Sequence, residues 1–154
     1  MGIIYGTSKV LLRGALSLFG DWKVEGKECV PPRGPLLVVS NHQSNMDPPI
    51  LSVSLPRPVN FMAKRGLFHN PVASYLLNAY GAFPINANGG DLAAIQRSIQ
   101  LLKRDAAMVI FPEGTRSPSA MRRAIPGIAL VALRSGAPIL PVGITGTERI
   151  GPPW

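Results

Sequence analysis

Cysteine, acidic residues and long apolar runs are the scarce features of this 154-residue chain. The lone Cys29 excludes an intramolecular disulfide and a cysteine-built zinc site, and nothing near it in sequence marks it as a nucleophile. No stretch reaches the roughly 18–20 uninterrupted apolar residues of a spanning helix, and the N-terminus lacks the pattern of a signal peptide. The chain is therefore expected at the cytoplasmic side. Eight Asp and Glu stand against sixteen Lys and Arg, a net charge of +8, so the surface suits an anionic partner. Aromatics are 6% of residues and the basic residues are scattered, which leaves no stacking platform for nucleic acid. Anionic lipid and phosphorylated substrates remain. The hydrophobic fraction of 46% excludes disorder, and the length suits one ordinary domain.

What is present is a repeated grammar of strand and helix. Leu36 to Val39 is an apolar run without polar alternation, the pattern of a strand buried on both faces. Val59–Ala63, Ala82–Ile85, Ala106–Phe111 and Pro138–Thr145 read the same way. Between them, Asp47 is placed to cap a helix before Pro48. Asn70 caps one with apolar residues Val72, Tyr75, Leu76 and Ala79 at helical spacing, Asp91 caps another with Leu92, Ile95, Ile99 and Leu102, and a last helix over Ile128–Arg134 ends at Gly136. The order predicts an α/β fold with a largely parallel or mixed central sheet flanked by helices. Ahead of it, residues 1–20 predict an amphipathic helix. Ile3, Ile4, Val10, Leu11, Leu12, Leu16, Leu18 and Phe19 supply its apolar surface, and Lys9, Arg13 and Ser17 form a narrow basic stripe. Two readings stay open, a helix packed on the core with that stripe solvated, or one lying in a membrane interface. Residues 21–154 form the expected second unit.

Two loops carry the chemistry. Asn41-His42-Gln43-Ser44-Asn45-Met46-Asp47 follows the first buried strand, where open α/β sheets place ligands. Five residues along a regular helix turn roughly 140° past one full turn, so His42 and Asp47 meet only if the chain between them curls. If they meet, the carboxylate fixes the imidazole tautomer and leaves the other ring nitrogen as a general base for a hydroxyl. If they do not, Asp47 serves only as a helix cap. Phe111-Pro112-Glu113-Gly114-Thr115-Arg116-Ser117 follows another buried strand. Its Gly-freed amides, the Thr115 hydroxyl and the Arg116 guanidinium suit a phosphate, with Glu113 as a buttress pairing with a neighbouring cation or amide. Lys64 and Arg65, after the second strand, are candidate helpers. His69 reads as a surface histidine, and no spacing suggests a metal site.

Asn41–Asp47 resembles the NHxxxxD motif, and Phe111–Ser117 the FPEGTRS phrase, of the 1-acyl-sn-glycerol-3-phosphate acyltransferase (lysophosphatidic acid acyltransferase) family of glycerolipid acyltransferases. Gly81–Ile85 and Ala137–Val142 are similar to two further family blocks, so the resemblance runs from about Val30 to Ile150. It implies the glycerolipid acyltransferase fold. It also implies acyl transfer from coenzyme A or acyl carrier protein to the sn-2 hydroxyl of lysophosphatidate, giving phosphatidate. No cofactor is implied beyond the thioester co-substrate. His42 would match the general base and Asp47 its partner. Glu113, Gly114, Thr115 and Arg116 would match the acceptor-binding block. Asn86-Ala87-Asn88 stand where the family often has an Arg, and Ile125 where it often has a Lys, which Arg122 or Arg123 would have to replace. The chain stops at Trp154, where relatives usually continue, so truncation is expected. The partners implied are lysophosphatidate, an acyl thioester, acyl carrier protein and an anionic membrane surface met peripherally or monotopically at its cytoplasmic face. The alternatives are a non-catalytic lipid-binding remnant, or transfer to glycerol 3-phosphate or another lysophospholipid.

Overall fold

The apolar runs Leu36–Ser40 and Ala107–Ile110 lack polar alternation because the strands they form are covered on both faces, whereas Ile139–Val142 lies at an edge with Ile139 56% exposed. In the computed structural model, which describes residues 3–86, 91–117 and 119–150, five strands form one sheet. They are Leu36–Ser40 (β1), Val59–Lys64 (β2), Ala82–Ile85 (β3), Ala107–Ile110 (β4) and Ile139–Val142 (β5). Their order is β3-β2-β4-β1-β5, and every pairing is parallel. Successive side chains alternate between two cores. Leu36, Val38, Phe61 and Val109 point to one face, and Leu37, Met108 and Ile110 to the other.

Helices close both faces. The helix Asp47–Ser54 (α2) sets Ile50 and Leu51 into the first core, joined by Leu16 of the N-terminal helix Ile3–Phe19 (α1) and Leu77 of the helix Pro71–Ala79 (α3). The second core takes Leu102 from the helix Leu92–Lys103 (α4) and Val131 from the helix Gly127–Ser135 (α5). β1 and β4 are neighbours, yet α2 carries the chain from β1 towards β2 over one face, while α5 carries it from β4 to β5 over the other. The C-terminal ends of β1 and β4 thus flank a topological switch point, the crevice where open α/β sheets bind ligands.

Most expected elements form, with informative differences. β5 ends at Val142 rather than running to Thr145, because β1 leaves the sheet after Ser40, the residue paired with Val142. α3 forms with the expected cap, the Asn70 side chain accepting the N–H groups of Val72 and Ala73, but its apolar positions Val72, Tyr75 and Leu76 face outward.

α1 reverses the solvated-stripe reading. Lys9 Nζ donates to Leu55 O at 3.0 Å and Arg13 Nε to Val53 O at 2.9 Å, so the basic stripe lies against the C-terminal carbonyls of α2. Those carbonyls have no intrahelical partners and form the negative end of the α2 dipole, which cations stabilise. Burial, then the neighbouring Arg13 charge, lowers the Lys9 pKa. The apolar flank is left outside, with Val10 70%, Leu11 74% and Leu18 80% exposed. The side chains of Ile3, Ile4 and Phe19, the residues 87–90 and the terminal residues 151–154 lie outside the described residues.

Candidate active site

The chain between His42 and Asp47 curls, and the two side chains meet. His42 Nδ1 donates to Asp47 Oδ2 at 2.8 Å. The same oxygen accepts the N–H groups of Gln43 at 2.6 Å and Ser44 at 2.8 Å, so one carboxylate organises the whole loop. Asp47 does not cap α2. It is the first residue of that helix, Pro48 and Pro49 have no N–H to offer, and the N–H of Ile50 donates to Met46 O. The carboxylate therefore turns back to the loop.

Asp47 is buried. Burial raises its pKa, but hydrogen bonding from His42, from the Ser44 N–H and from the Gln43 N–H outweighs that and holds it below the usual carboxylate value. An ionised carboxylate only accepts, so Nδ1 of His42 carries the proton and Nε2 of the neutral ring keeps its lone pair. Phe111 stacks on the imidazole with ring centroids 4.1 Å apart and planes 20° from parallel. The ring is thus held by a hydrogen bond at one edge and an aromatic face beneath.

The second loop grips the backbone of the first. Glu113 is buried, its Oε1 accepts the N–H of His42 at 3.0 Å, and its Oε2 accepts the N–H of Arg122 at 3.0 Å. The N–H of Ser117 donates to His42 O at 2.7 Å. Glu113 is a brace between backbone segments, its oxygens engaged away from any phosphate. Gly114 has a left-handed φ of 63°, a conformation that favours glycine, and a Cβ there would also push Cδ1 of Ile125 aside. Ile125 closes that turn with its N–H donating to Pro112 O at 2.8 Å.

Thr115 and Arg116 are half-buried on the same loop. The exposed Lys64 ends β2 and the exposed Arg65 follows it at the same sheet edge, where Arg65 Nε donates to Asn86 Oδ1 at 2.9 Å. Sequence reasoning missed three contributors. Phe111 and Ser117 were visible only as motif letters. Asn41 pairs with Ile144 in both directions, its Nδ2 donating to Ile144 O and its Oδ1 accepting Ile144 N–H, each at 2.8 Å.

A parallel α/β sheet carries at its switch point a His–Asp pair with a buried carboxylate, beside a braced, cation-bearing loop. Residues 21–145 match the family model described as Acyltransferase, and the chain belongs to that family. It is 31% identical over 147 residues to a chloroplast 1-acyl-sn-glycerol-3-phosphate acyltransferase of Arabidopsis thaliana, covering 92% of this chain and 41% of that one. It is 32% identical over 138 residues to the 1-acyl-sn-glycerol-3-phosphate acyltransferase of Bacillus subtilis, covering 88% and 68%. The crystal structure of the 1-acyl-sn-glycerophosphate acyltransferase of Thermotoga maritima superposes with a TM-score of 0.78 at 29% identity, covering 97% of this chain and 60% of that one. The chain thus spans about two-fifths of the plant relative's length.

Proposed function

We propose that this chain transfers a fatty acyl group from an acyl thioester to the sn-2 hydroxyl of 1-acyl-sn-glycerol 3-phosphate, yielding phosphatidate. The observation that carries the reading is the His42–Asp47 hydrogen bond at the switch point, 2.8 Å long and braced from the second motif. The acceptor oxygen loses its proton to His42 Nε2 as it attacks the thioester carbonyl carbon, forming a tetrahedral oxyanion. Collapse forms the ester, breaks the carbon–sulfur bond and releases the thiolate, which takes the proton back from the imidazolium. No acyl-enzyme is required, and the burden falls on proximity and general-base catalysis. Gly114, Thr115 and Arg116 hold the acceptor phosphate, with Lys64 and Arg65 as further cations at the same edge. Glu113 contributes to that block by shaping it.

The donor is acyl-coenzyme A or an acyl carrier protein. The protein works peripherally at the cytoplasmic face of an anionic membrane. Among the described residues no helix is long and apolar enough to cross one, while the outward Val10, Leu11 and Leu18 of α1 and the net charge of +8 suit adsorption to one. The test is lipid mass spectrometry of the purified chain, with each donor offered against lysophosphatidate and glycerol 3-phosphate in turn. Phosphatidate from lysophosphatidate is expected. Product from glycerol 3-phosphate alone would move the acceptor, and no product from any pair would leave a lipid-binding remnant.

A further inference from the structure

The Asp47 carboxylate is asymmetric. Its Oδ2 accepts three hydrogen bonds, whereas Oδ1 is buried with no hydrogen bond formed among the described residues. A buried ionised oxygen left without a donor is costly. The Thr147 hydroxyl is buried and equally unpartnered, and it belongs to the groups that hold the Asp47 carboxyl below its usual value. Two buried polar atoms are thus left unpartnered on segments that the Asn41–Ile144 and Ser44–Ile150 bonds hold together, and a hydroxyl hydrogen rotates freely to serve an acceptor.

We propose that Thr147 is a positioning residue for the dyad, its hydroxyl donating to the Asp47 oxygen that neither motif reaches. The inference rests on His42 and Asp47 acting as the catalytic pair. Thr147 lies beyond residues 21–145, the stretch that matches the family model, and belongs to neither motif.

The chain around Thr147 is stitched to the catalytic loop on both sides. Before it, Asn41 clamps Ile144; after it, Ser44 Oγ donates to Ile150 O at 3.3 Å. Between the clamps, Gly146 adopts a left-handed φ of 84° and starts the single 3-10 turn Thr147–Arg149 that carries Thr147 inward. Packing alone asks for a methyl group at this point, and valine supplies one of the same shape. The hydroxyl needs a reason to be buried, and the open lone pairs of Asp47 provide it. With both oxygens engaged, the carboxylate is fixed in rotation about its own axis, and so is the imidazole hydrogen-bonded to it.

The test compares Thr147→Val and Thr147→Ser in the full chain, by two independent readouts. In the lysophosphatidate assay, Thr147→Val should lower kcat about tenfold, the equivalent of one net hydrogen bond to a charged group, and leave the acceptor KM unchanged. Thr147→Ser should restore kcat. Carbon-13 NMR titration of the Asp47 carboxyl, which needs no turnover, should show its midpoint rising in Thr147→Val and unmoved in Thr147→Ser. Thr147→Ala, which cannot overpack, repeats the contrast. An Asp47 titration identical in wild type, Val and Ala variants would overturn the proposal. So would a serine variant as impaired as the valine one. A wild-type chain with no turnover would instead remove the acyl-transfer reading, while the titration still decides whether Thr147 holds Asp47.

Discussion

Glu113 accepts the backbone N–H of His42 at 3.0 Å across 71 residues of sequence. Its other oxygen accepts the Arg122 N–H, so a single buried carboxylate ties the loop after β1 to the loop after β4 and to the segment that returns across it. The two motifs are one mechanical unit. The first carries the His42 imidazole, and the second supplies its backbone support and the Phe111 ring stacked on it.

Glu113→Gln tests that unit. An amide presents an N–H where one of the two backbone donors needs an acceptor, so one buried N–H is left facing another. The expected loss is about 1–3 kcal/mol of stability, read from urea unfolding, together with a fall in kcat larger than the change in acceptor KM. An unchanged unfolding midpoint would contradict the bracing role.

The Asp47 pKa sets a pH dependence of stability. Burial raises it, and hydrogen bonds from His42, Ser44 and Gln43 lower it further than burial raises it. The unfolded chain therefore takes up this proton more readily than the folded one. The stabilisation is complete above the unfolded carboxylate value of about 3.9 and is lost as pH falls through the folded value. Urea midpoints of the wild type should drop more steeply on acidification below about pH 4 than those of Asp47→Asn. Parallel curves would show that Asp47 titrates as it does in the unfolded chain.

Arg116→Ala addresses the acceptor phosphate. Loss of a charge-assisted contact should raise the KM for lysophosphatidate about tenfold with little change in kcat. A phosphate-free monoacylglycerol offered as acceptor should not distinguish the variant from the wild type. Equal KM values for lysophosphatidate would take the phosphate away from this residue.

The membrane contact proposed for the outer flank of α1 is separable from the packing of its basic flank. Leu11→Asp with Leu18→Asp should cut cosedimentation with phosphatidylglycerol vesicles while leaving the melting temperature nearly unchanged, since both residues are exposed. Lys9→Met should lower the melting temperature, because it strips a donor from the Leu55 carbonyl. Vesicle binding untouched by the double substitution would place the membrane contact elsewhere.

The sheet was legible because a strand buried on both faces must be apolar throughout, and β3 matches its expected bounds residue for residue. The dyad was legible as a spacing, but the choice between a cap and a partner for Asp47 needed the loop's curl. Pro49 in fact argued against a cap, since at the second helical position after such a cap it offers no N–H for the carboxylate to accept. The orientation of α1 was not legible, because a basic stripe reads the same whether it meets water or a neighbouring helix end. Outward Tyr75 and Leu76 likewise follow from where α3 lands on the sheet rather than from its spacing. Asn41 and Thr147 act through contacts about a hundred residues apart along the chain, and no local pattern announces such a closure.

The central claim is that His42, held by Asp47, takes the proton of the acceptor hydroxyl as it attacks the thioester. The most direct measurement is acceptor-dependent thiol release from acyl-coenzyme A, followed for the wild type and His42→Ala with lysophosphatidate and with its 2-deoxy analogue. The account expects release only when the sn-2 hydroxyl and His42 are both present, with His42→Ala slower by at least about a hundredfold. Release that persists in His42→Ala at a comparable rate, or that proceeds equally with the 2-deoxy analogue, would contradict it.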